Sequence, residues 1–270
     1  MALTETKDDI LNILYQSDDR LTSRAFIRQI KAKFSISGAE AKKIVQKLVN
    51  EQELSYHYLY GSTYIEKNFL RPVHITKNFI LKPPGHKAEP KQSRIEIMIE
   101  TGISFGSGHH PTTQLCLTAL DFCFFEHPGS NLQKNLPGAD IGTGSGVLAM
   151  AMCLSGLISC NAYEIDPVSI NEAKKNIALN GLGKRIKVIK DPIEENKNAF
   201  SIISANLRFP TLLALGDLIY ASLTQNGIAV ISGVRQWEKD QFIRIYSKKG
   251  FKLFWQKDDK KWSAFVLEKK

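Results

Sequence analysis

The chain has 270 residues, 43% hydrophobic and 23% charged, and a formal net charge of +9 at pH 7. That balance is the one of a soluble globular protein with room for one large domain or two ordinary ones, and no apolar run reaches the ~20 residues that span a bilayer. The start, MALTETKDDILNIL, lacks the basic-then-apolar order of a secretory signal, so the sequence reads as cytoplasmic with no membrane partner.

Residues 1–70 read as three helices and a hairpin. Ile10, Ile13 and Leu14 recur at helical spacing. Thr22 is the expected N-cap of a helix carrying Phe26, Ile27 and Ile30, and Ser37 stands three residues before Glu40 in capping-box spacing. LSYHYLY and STYIEK flank Gly61 as strands. Three helices followed by a hairpin is the order of a winged helix, a small α+β module. Helix three carries Lys42, Lys43 and Lys47, yet the segment holds 10 Lys+Arg against 9 Asp+Glu. Nucleic-acid binding, protein recognition and a structural role all remain open for it.

Residues 71–96 hold 6 Lys+Arg against 2 Asp+Glu, the densest basic excess in the chain. They read as a basic connector with one short strand, HITKNFIL. The excess suits either an anionic partner or a solvated linker. From residue 97 to 270 β-like runs alternate with helices. Strands are expected at Ala139–Ile141, Ala162–Ile165, Ile186–Ile189, Ser201–Ala205, Ile228–Ser232, Lys252–Trp255 and Ser263–Leu267. Helices are expected near 145–154, 167–180, 210–223 and 236–248. The alternation predicts a doubly wound α/β domain, a mostly parallel sheet covered on both faces, with an antiparallel hairpin at its end. Cys116, Cys123, Cys153 and Cys160 form no CxxC pair and read as buried free thiols.

DIGTGSGVLAMA, Asp140 to Ala151, places Gly142, Gly144 and Gly146 between a strand and an Ala-rich helix. Such a turn lets backbone approach a ligand at a helix N-terminus, although a bare strand–helix turn would look the same. Glu164 follows Gly142 by twenty-two residues, where a carboxylate can accept from both hydroxyls of a ribose. The pair points to a nucleoside pocket, and no P-loop lysine follows the glycines. Asn206, in ISANLRFP, stands at a strand end facing the crevice, where its amide can orient an amine or cap the next helix. The adjacent His109 and His110 of FGSGHHPTT raise a metal reading, but no cluster of Cys, His or Asp completes a site, and none is expected.

FGSGHHPTTQLCL, DIGTGSGVLAMA, YEIDPVSINEAKKNIALNG, SANL and ISGV occur in the order and spacing of one group of S-adenosylmethionine-dependent methyltransferases. Over about residues 72–270 the chain resembles the PrmA-type methyltransferases of large-subunit ribosomal protein eleven, and it is also similar to eukaryotic lysine methyltransferases that share HPTT. The resemblance implies a class I, Rossmann-like methyltransferase domain, S-adenosylmethionine as cofactor, and N-methylation of a protein amine, with a ribosomal protein as partner. It implies that Thr113 contacts the cofactor, that Gly142 and Gly144 lie against its methionine portion, and that Glu164 binds its ribose in place of the usual Asp. Asn206 matches the family's Asn beside the methyl group and the incoming amine, and is the expected catalytic residue. Phe105, Thr112 and Asp140, from the same motifs, complete the expected cofactor-binding set.

His109 replaces a Thr and Thr143 a Cys of the family pattern. The family's ribosomal-protein-recognising domain is not evident, and the winged-helix-like module stands in its place. An RNA or DNA methyltransferase is the alternative, although LRFP after Asn206 lacks the Pro-Pro-aromatic run on which such enzymes stack a base. A non-catalytic module would not need the glycines, Glu164 and Asn206 together.

Overall fold

The computed structural model describes residues 3–15, 17, 21–51, 53–59, 61–68, 72–86, 94–100, 110–126, 132–194 and 199–270. The contacts divide the chain into two compact units, Met1–Arg71 and Pro72–Lys270.

In the first unit, helices α1 (Leu3–Tyr15), α2 (Ser23–Phe34) and α3 (Gly38–Asn50) precede strands β1 (Leu54–Leu59) and β2 (Ser62–Lys67). Both expected helix starts are present. Thr22 accepts from the Ala25 N–H, and Ser37 and Glu40 form the reciprocal capping box. The strands pair antiparallel with Leu59 opposite Ser62, and Gly61 supplies the positive φ that so tight a reversal requires. A single bridge joins Thr22 to Tyr64, so the link between α1 and α2 is itself stitched to the hairpin. Phe26, Ile30, Val45, Leu48, Leu54 and Ile65 close the core beneath.

The second unit begins with a three-stranded sheet of β3 (Val73–His74), β4 (Phe79–Lys82) and β5 (Ile95–Met98), in that order. HITKNFIL is therefore not one strand. The Thr76 hydroxyl accepts from the N–H groups of Asn78 and Phe79 and turns the chain back, so that β3 and β4 pair antiparallel. The burial of Lys82 is offset by Glu96, whose carboxylate lies 2.5 Å from its ammonium.

After α4 (Pro111–Asp121) and a five-residue π turn (Phe122–Glu126) come β6 (Gly138–Ile141), α5 (Val147–Leu154), β7 (Cys160–Tyr163) and α6 (Pro167–Leu179). They are followed by β8 (Ile186–Ile189), β9 (Phe200–Asn206), α7 (Phe209–Ser222), β10 (Leu223–Arg235), α8 (Lys239–Lys248), β11 (Phe251–Asp259) and β12 (Trp262–Lys269). The sheet order is β11-β12-β10-β9-β6-β7-β8, parallel from β8 to β10 and antiparallel from β10 to β11. The chain builds outward from β6 through β7 to β8, then returns to β6's other side with β9. The strand order thus reverses between β6 and β9, which opens a crevice at their C-terminal ends. β9 is buried on both faces up to Ala205, as a central parallel strand must be.

Several boundaries differ from the sequence reading, most at β10, which runs from Leu223 to Arg235 where Ile228–Ser232 was expected. β7 runs Cys160–Tyr163; the Glu164 N–H still bonds the Ile189 carbonyl of β8, but the next two N–H groups, of Ile165 and Asp166, turn to the Glu164 carboxylate. The last helix opens with a 3₁₀ turn, Gln236–Glu238. β11 continues past Trp255 to Asp259 by absorbing a bulge between Leu253 and Trp255.

The sheet's β10–β12 side is held by aromatic packing. Phe242 is fully buried, with its ring centroid 4.2 Å from Tyr246 and 4.5 Å from Phe265. Phe242→Ala should cost about 3–5 kcal/mol through the cavity it leaves. Ser37→Ala should cost about 1 kcal/mol, from one lost cap in the first unit. Urea unfolding followed by circular dichroism measures both, and equal losses would contradict this assignment of the core.

Candidate active site

The glycine-rich turn sits at the C-terminal end of β6, in the crevice. Gly142, Gly144 and Gly146 have φ of 70°, 55° and 85°. A Cβ on Gly142 would meet a terminal methyl of Leu207 at 2.5 Å, which a side-chain shift can relieve, so glycine is required here by the positive φ. The N–H groups of Gly142 and Thr143 both donate to the Tyr163 carbonyl, which ties the turn to β7.

Asp140 holds the turn from below. Its carboxylate is buried and accepts from Thr143 Oγ1 at 2.5 Å, Ser204 Oγ at 2.6 Å and the Ala149 N–H at 3.3 Å, so one side chain links β6, β9 and α5. Burial raises its pKa from 3.8 to about 6; the two hydroxyls and the Ala149 N–H oppose the rise, and the charge of Glu164 adds to it. Ser204 was not singled out in the sequence, and Thr143 only as a departure from the family pattern. Ser204's signal is its place at a buried position of β9 opposite Asp140.

Glu164, half-buried, lies just past β7. Oε2 accepts from the Gly144 N–H at 2.9 Å, and Oε1 accepts from Ile165 N–H and Asp166 N–H at 2.9 and 3.1 Å. A carboxylate offers about four acceptor positions, so capacity remains on Oε2 for a hydroxyl.

Asn206 is the last residue of β9, opposite Ser232 of β10. It does not cap α7, whose N-cap is Arg208. Among the described residues its amide makes no side-chain hydrogen bond, and it is partly exposed at the crevice. Leu207 packs under Gly142 and donates its N–H to the Ser232 carbonyl. Gly233 faces the Leu207 carbonyl so closely that a Cβ there would overlap it.

α4 brings the HPTT residues to the same place, since it packs against α5, β9, β10 and β12. His110 is its N-cap, with Nδ1 accepting from the Thr112 N–H, and Pro111 occupies the first turn. The His110 ring meets Trp262 edge-on at 5.2 Å, and the Arg235 guanidinium lies 3.7 Å from that indole's centre. Cys116, one turn past Thr113, sits against Ser232 and near enough to Asp140 to feel its charge. Thr112 and Thr113 are buried, and among the described residues the Thr113 hydroxyl has no hydrogen-bond partner. Phe105 lies outside the described residues, as does His109. The four cysteines are buried and unpaired, and burial pushes their thiols upward, so none is an activated nucleophile.

Among the described residues no group of three His, Cys, Asp or Glu is placed to hold a metal ion, and no helix is long and apolar enough to cross a membrane. A cavity of about 430 Å³ lies elsewhere, at the N-terminal ends of β7 and β8, lined in part by Lys174, Lys184 and Lys187; it contains none of the site residues above.

Because the pKa of Asp140 is raised on folding, its contribution to stability is fullest below about pH 4 and is lost as the pH climbs through about 6. The loss is on the order of 3 kcal/mol for a shift of this size. Asp140→Asn keeps an acceptor toward Thr143 and Ala149 and should flatten that slope. Urea unfolding of both proteins across this range reads the difference, and a constant offset between them would refute the assignment.

The family model described as ribosomal protein L11 methyltransferase (PrmA) matches residues 10–270, so it reaches into the first unit, well before residue 72 where the motif likeness begins. A ribosomal protein L11 methyltransferase of Citrifermentans bemidjiense is 32% identical over 66% of this chain and 57% of its own length. One of Anoxybacillus flavithermus is 28% identical over 84% of this chain and 68% of its own. The crystal structure of a ribosomal protein L11 methylase from Lactobacillus delbrueckii subsp. bulgaricus aligns with a TM-score of 0.65 at 25% identity, over 74% of this chain and 99% of that one. The chain spans 57% of the length of the first relatives it matches. Glycine turn, strand-end carboxylate and strand-end amide stand at one switch point, and the family model covers nearly the whole chain. The chain belongs to the ribosomal protein L11 methyltransferase (PrmA) family.

Proposed function

We propose that the protein transfers a methyl group from S-adenosylmethionine to an amine nitrogen of a protein substrate, a Lys side chain or an N-terminus, and that this substrate is a ribosomal protein met in the cytoplasm. The observation that carries the reading is the meeting of three features at the β6/β9 crevice: the positive-φ glycine turn, the Glu164 carboxylate and the uncommitted Asn206 amide. The names of the relatives supply the substrate class.

The residues present fit the cofactor. Glu164 has acceptor capacity for ribose hydroxyls, Thr113 has a buried hydroxyl without a partner, and Gly142 and Gly144 let backbone approach the methionine portion. Thr112, and Phe105 ahead of it, belong to the same proposed set. Asp140 serves it indirectly, since its carboxylate is occupied by Thr143, Ser204 and Ala149 within the turn. When bound, the cofactor supplies an electrophilic methyl group. The protein's part is alignment. Asn206 would accept a hydrogen bond from the incoming amine through Oδ1 and hold its lone pair toward the methyl. A Lys amine, ordinarily near pKa ~10.4, must be neutral to react, and partial desolvation at the crevice mouth favours that form. The Asn206 amide takes no hydrogen bond from a titratable side chain among the described residues, so the proton passes to water.

The first unit, whose helix–hairpin order is that of a winged helix, is proposed to serve recognition rather than chemistry. Residues 71–96 would join it to the methyltransferase domain.

Titration calorimetry with S-adenosylmethionine tests the cofactor, and absence of binding would end the enzyme reading. Labelled cofactor added with cell lysate tests the substrate: label lost on protease treatment supports a protein, and label lost on nuclease treatment overturns it. Asn206→Ala should lower kcat roughly a hundredfold, the scale of one lost orienting contact, while cofactor Kd changes less than about threefold; unchanged turnover would remove its role. Thr113→Val removes a hydroxyl that bonds nothing in the protein, so thermal stability should hold while cofactor Kd rises about tenfold. Unaltered binding would show that the hydroxyl faces no ligand.

A further inference from the structure

The stretch NIALNG carries Asn176 and Asn180, one helical turn apart on α6, and neither has a place in the proposed chemistry. Asn180 Oδ1 accepts from the Met98 N–H at 2.9 Å, and its Nδ2 donates to the Met98 carbonyl at 2.7 Å. Asn176 Oδ1 accepts from the Glu100 N–H at 2.9 Å. Four residues of helix rise about 6 Å and two residues of strand about 6.6 Å. The two amides therefore read the extended backbone of residues 98–100 as a neighbouring strand would, with α6 and the strand running in opposite directions. The other half of Asn176 points elsewhere: Nδ2 donates to the Ser145 carbonyl, inside the glycine-rich turn, at 3.0 Å. Asn176 is 2% exposed. Next to it, Ala173 and Ile177 pack 3.6 Å from where a Cβ of Gly146 would be.

We infer that Asn176 is a positioning residue for the cofactor. It fixes the glycine turn relative to the extended chain at Glu100, more than forty residues away in sequence, and so holds the turn in place for the ligand. Its amide oxygen and nitrogen each bond a backbone group and the side chain is 2% exposed, so it acts through Ser145 and Glu100 and not by contact. Asn180 bonds the Met98 backbone, the Asn176 carbonyl and Met150 Sδ of α5, and its side chain makes no bond to the backbone of the turn. The inference rests on reading this turn as part of an S-adenosylmethionine pocket.

Asn176→Asp and Asn180→Asp separate the roles. Each replaces an amide by a carboxylate, at buried Asn176 or at half-buried Asn180, the C-cap of α6, and keeps an acceptor for the strand N–H. Each loses its Nδ2 donor, which in Asn180 faces the Met98 and Asn176 carbonyls, but only Asn176→Asp sets its carboxylate against the Ser145 carbonyl of the glycine-rich turn. By calorimetry, S-adenosylmethionine Kd should rise about tenfold or more in Asn176→Asp, the scale of one buried group left unsatisfied, and less than about threefold in Asn180→Asp. Equal weakening in both, or wild-type affinity in Asn176→Asp, overturns the inference. Failure of the wild-type protein to bind overturns the pocket reading instead. Hydrogen exchange on the wild-type protein decides the matter should Asn176→Asp not fold. The Glu100 and Gly146 amides should gain protection together when S-adenosylmethionine is added, and protection of Gly146 without Glu100 would count against the coupling.

Discussion

Everything in the second unit depends on the reversal of strand order between β6 and β9. Each parallel strand needs a crossover helix on a face of the sheet, and where successive crossovers lie on opposite faces the loops above the strand ends part. That gap can stay open only if the two strands beneath it are held firmly together. The bond doing so is polar: Asp140 of β6 accepts from Ser204 of β9, at register-paired positions. A pair of apolar side chains could close the same space, but could not also accept from Thr143 and the first turn of α5 as the carboxylate does. The cost appears as the raised pKa of Asp140. A buried ionisable group that is fully hydrogen-bonded specifies geometry more than it adds stability. Here the geometry specified is that of the turn.

The glycine turn is held from outside on each side that is not crevice. Tyr163 takes the N–H groups of Gly142 and Thr143, Glu164 takes that of Gly144, and Asn176 reaches the Ser145 carbonyl. Three positive-φ residues in a row of five form a backbone that is entropically expensive to fix. When tethers from β7 and α6 fix it on folding, that cost falls before any ligand arrives, which is the physical content of preorganisation.

Much of this was legible in the chain, and the reasons are specific. Capping signals at Thr22 and Ser37 are local chemistry and give local structure. Strand–helix alternation gives a parallel sheet because crossover geometry leaves few alternatives. Glycines, Glu164 and Asn206 are legible because ligands of such sheets bind at strand ends. What sequence reasoning missed are the tertiary partners. Ser204 looks like any small residue in a buried strand, and Asn176 like any polar residue on an amphipathic helix, until pairing puts Asp140 and Ser145 beside them. HITKNFIL misled because its apolar residues suit a strand throughout, while one threonine hydroxyl decides that the chain turns. His110 drew a metal reading by its neighbour, but Pro111 behind it makes a helix start, and there its ring nitrogen accepts as a serine oxygen would.

The Glu at 164, where the motif resemblance implies Asp as the usual acid, fits the same picture. A carboxylate at the end of β7 can hold a ribose only if its own position is set, and an exposed side chain with an extra methylene has more freedom to lose. In this chain the longer side chain folds back, placing Oε1 on the two N–H groups that follow and Oε2 on Gly144. The additional reach thus becomes a bond between the end of β7 and the turn after β6. An Asp there would be one methylene short of that reach in this backbone. The substitution exchanges a stiff, short acid for a longer one stiffened by the glycine turn, so the turn and the carboxylate orient each other.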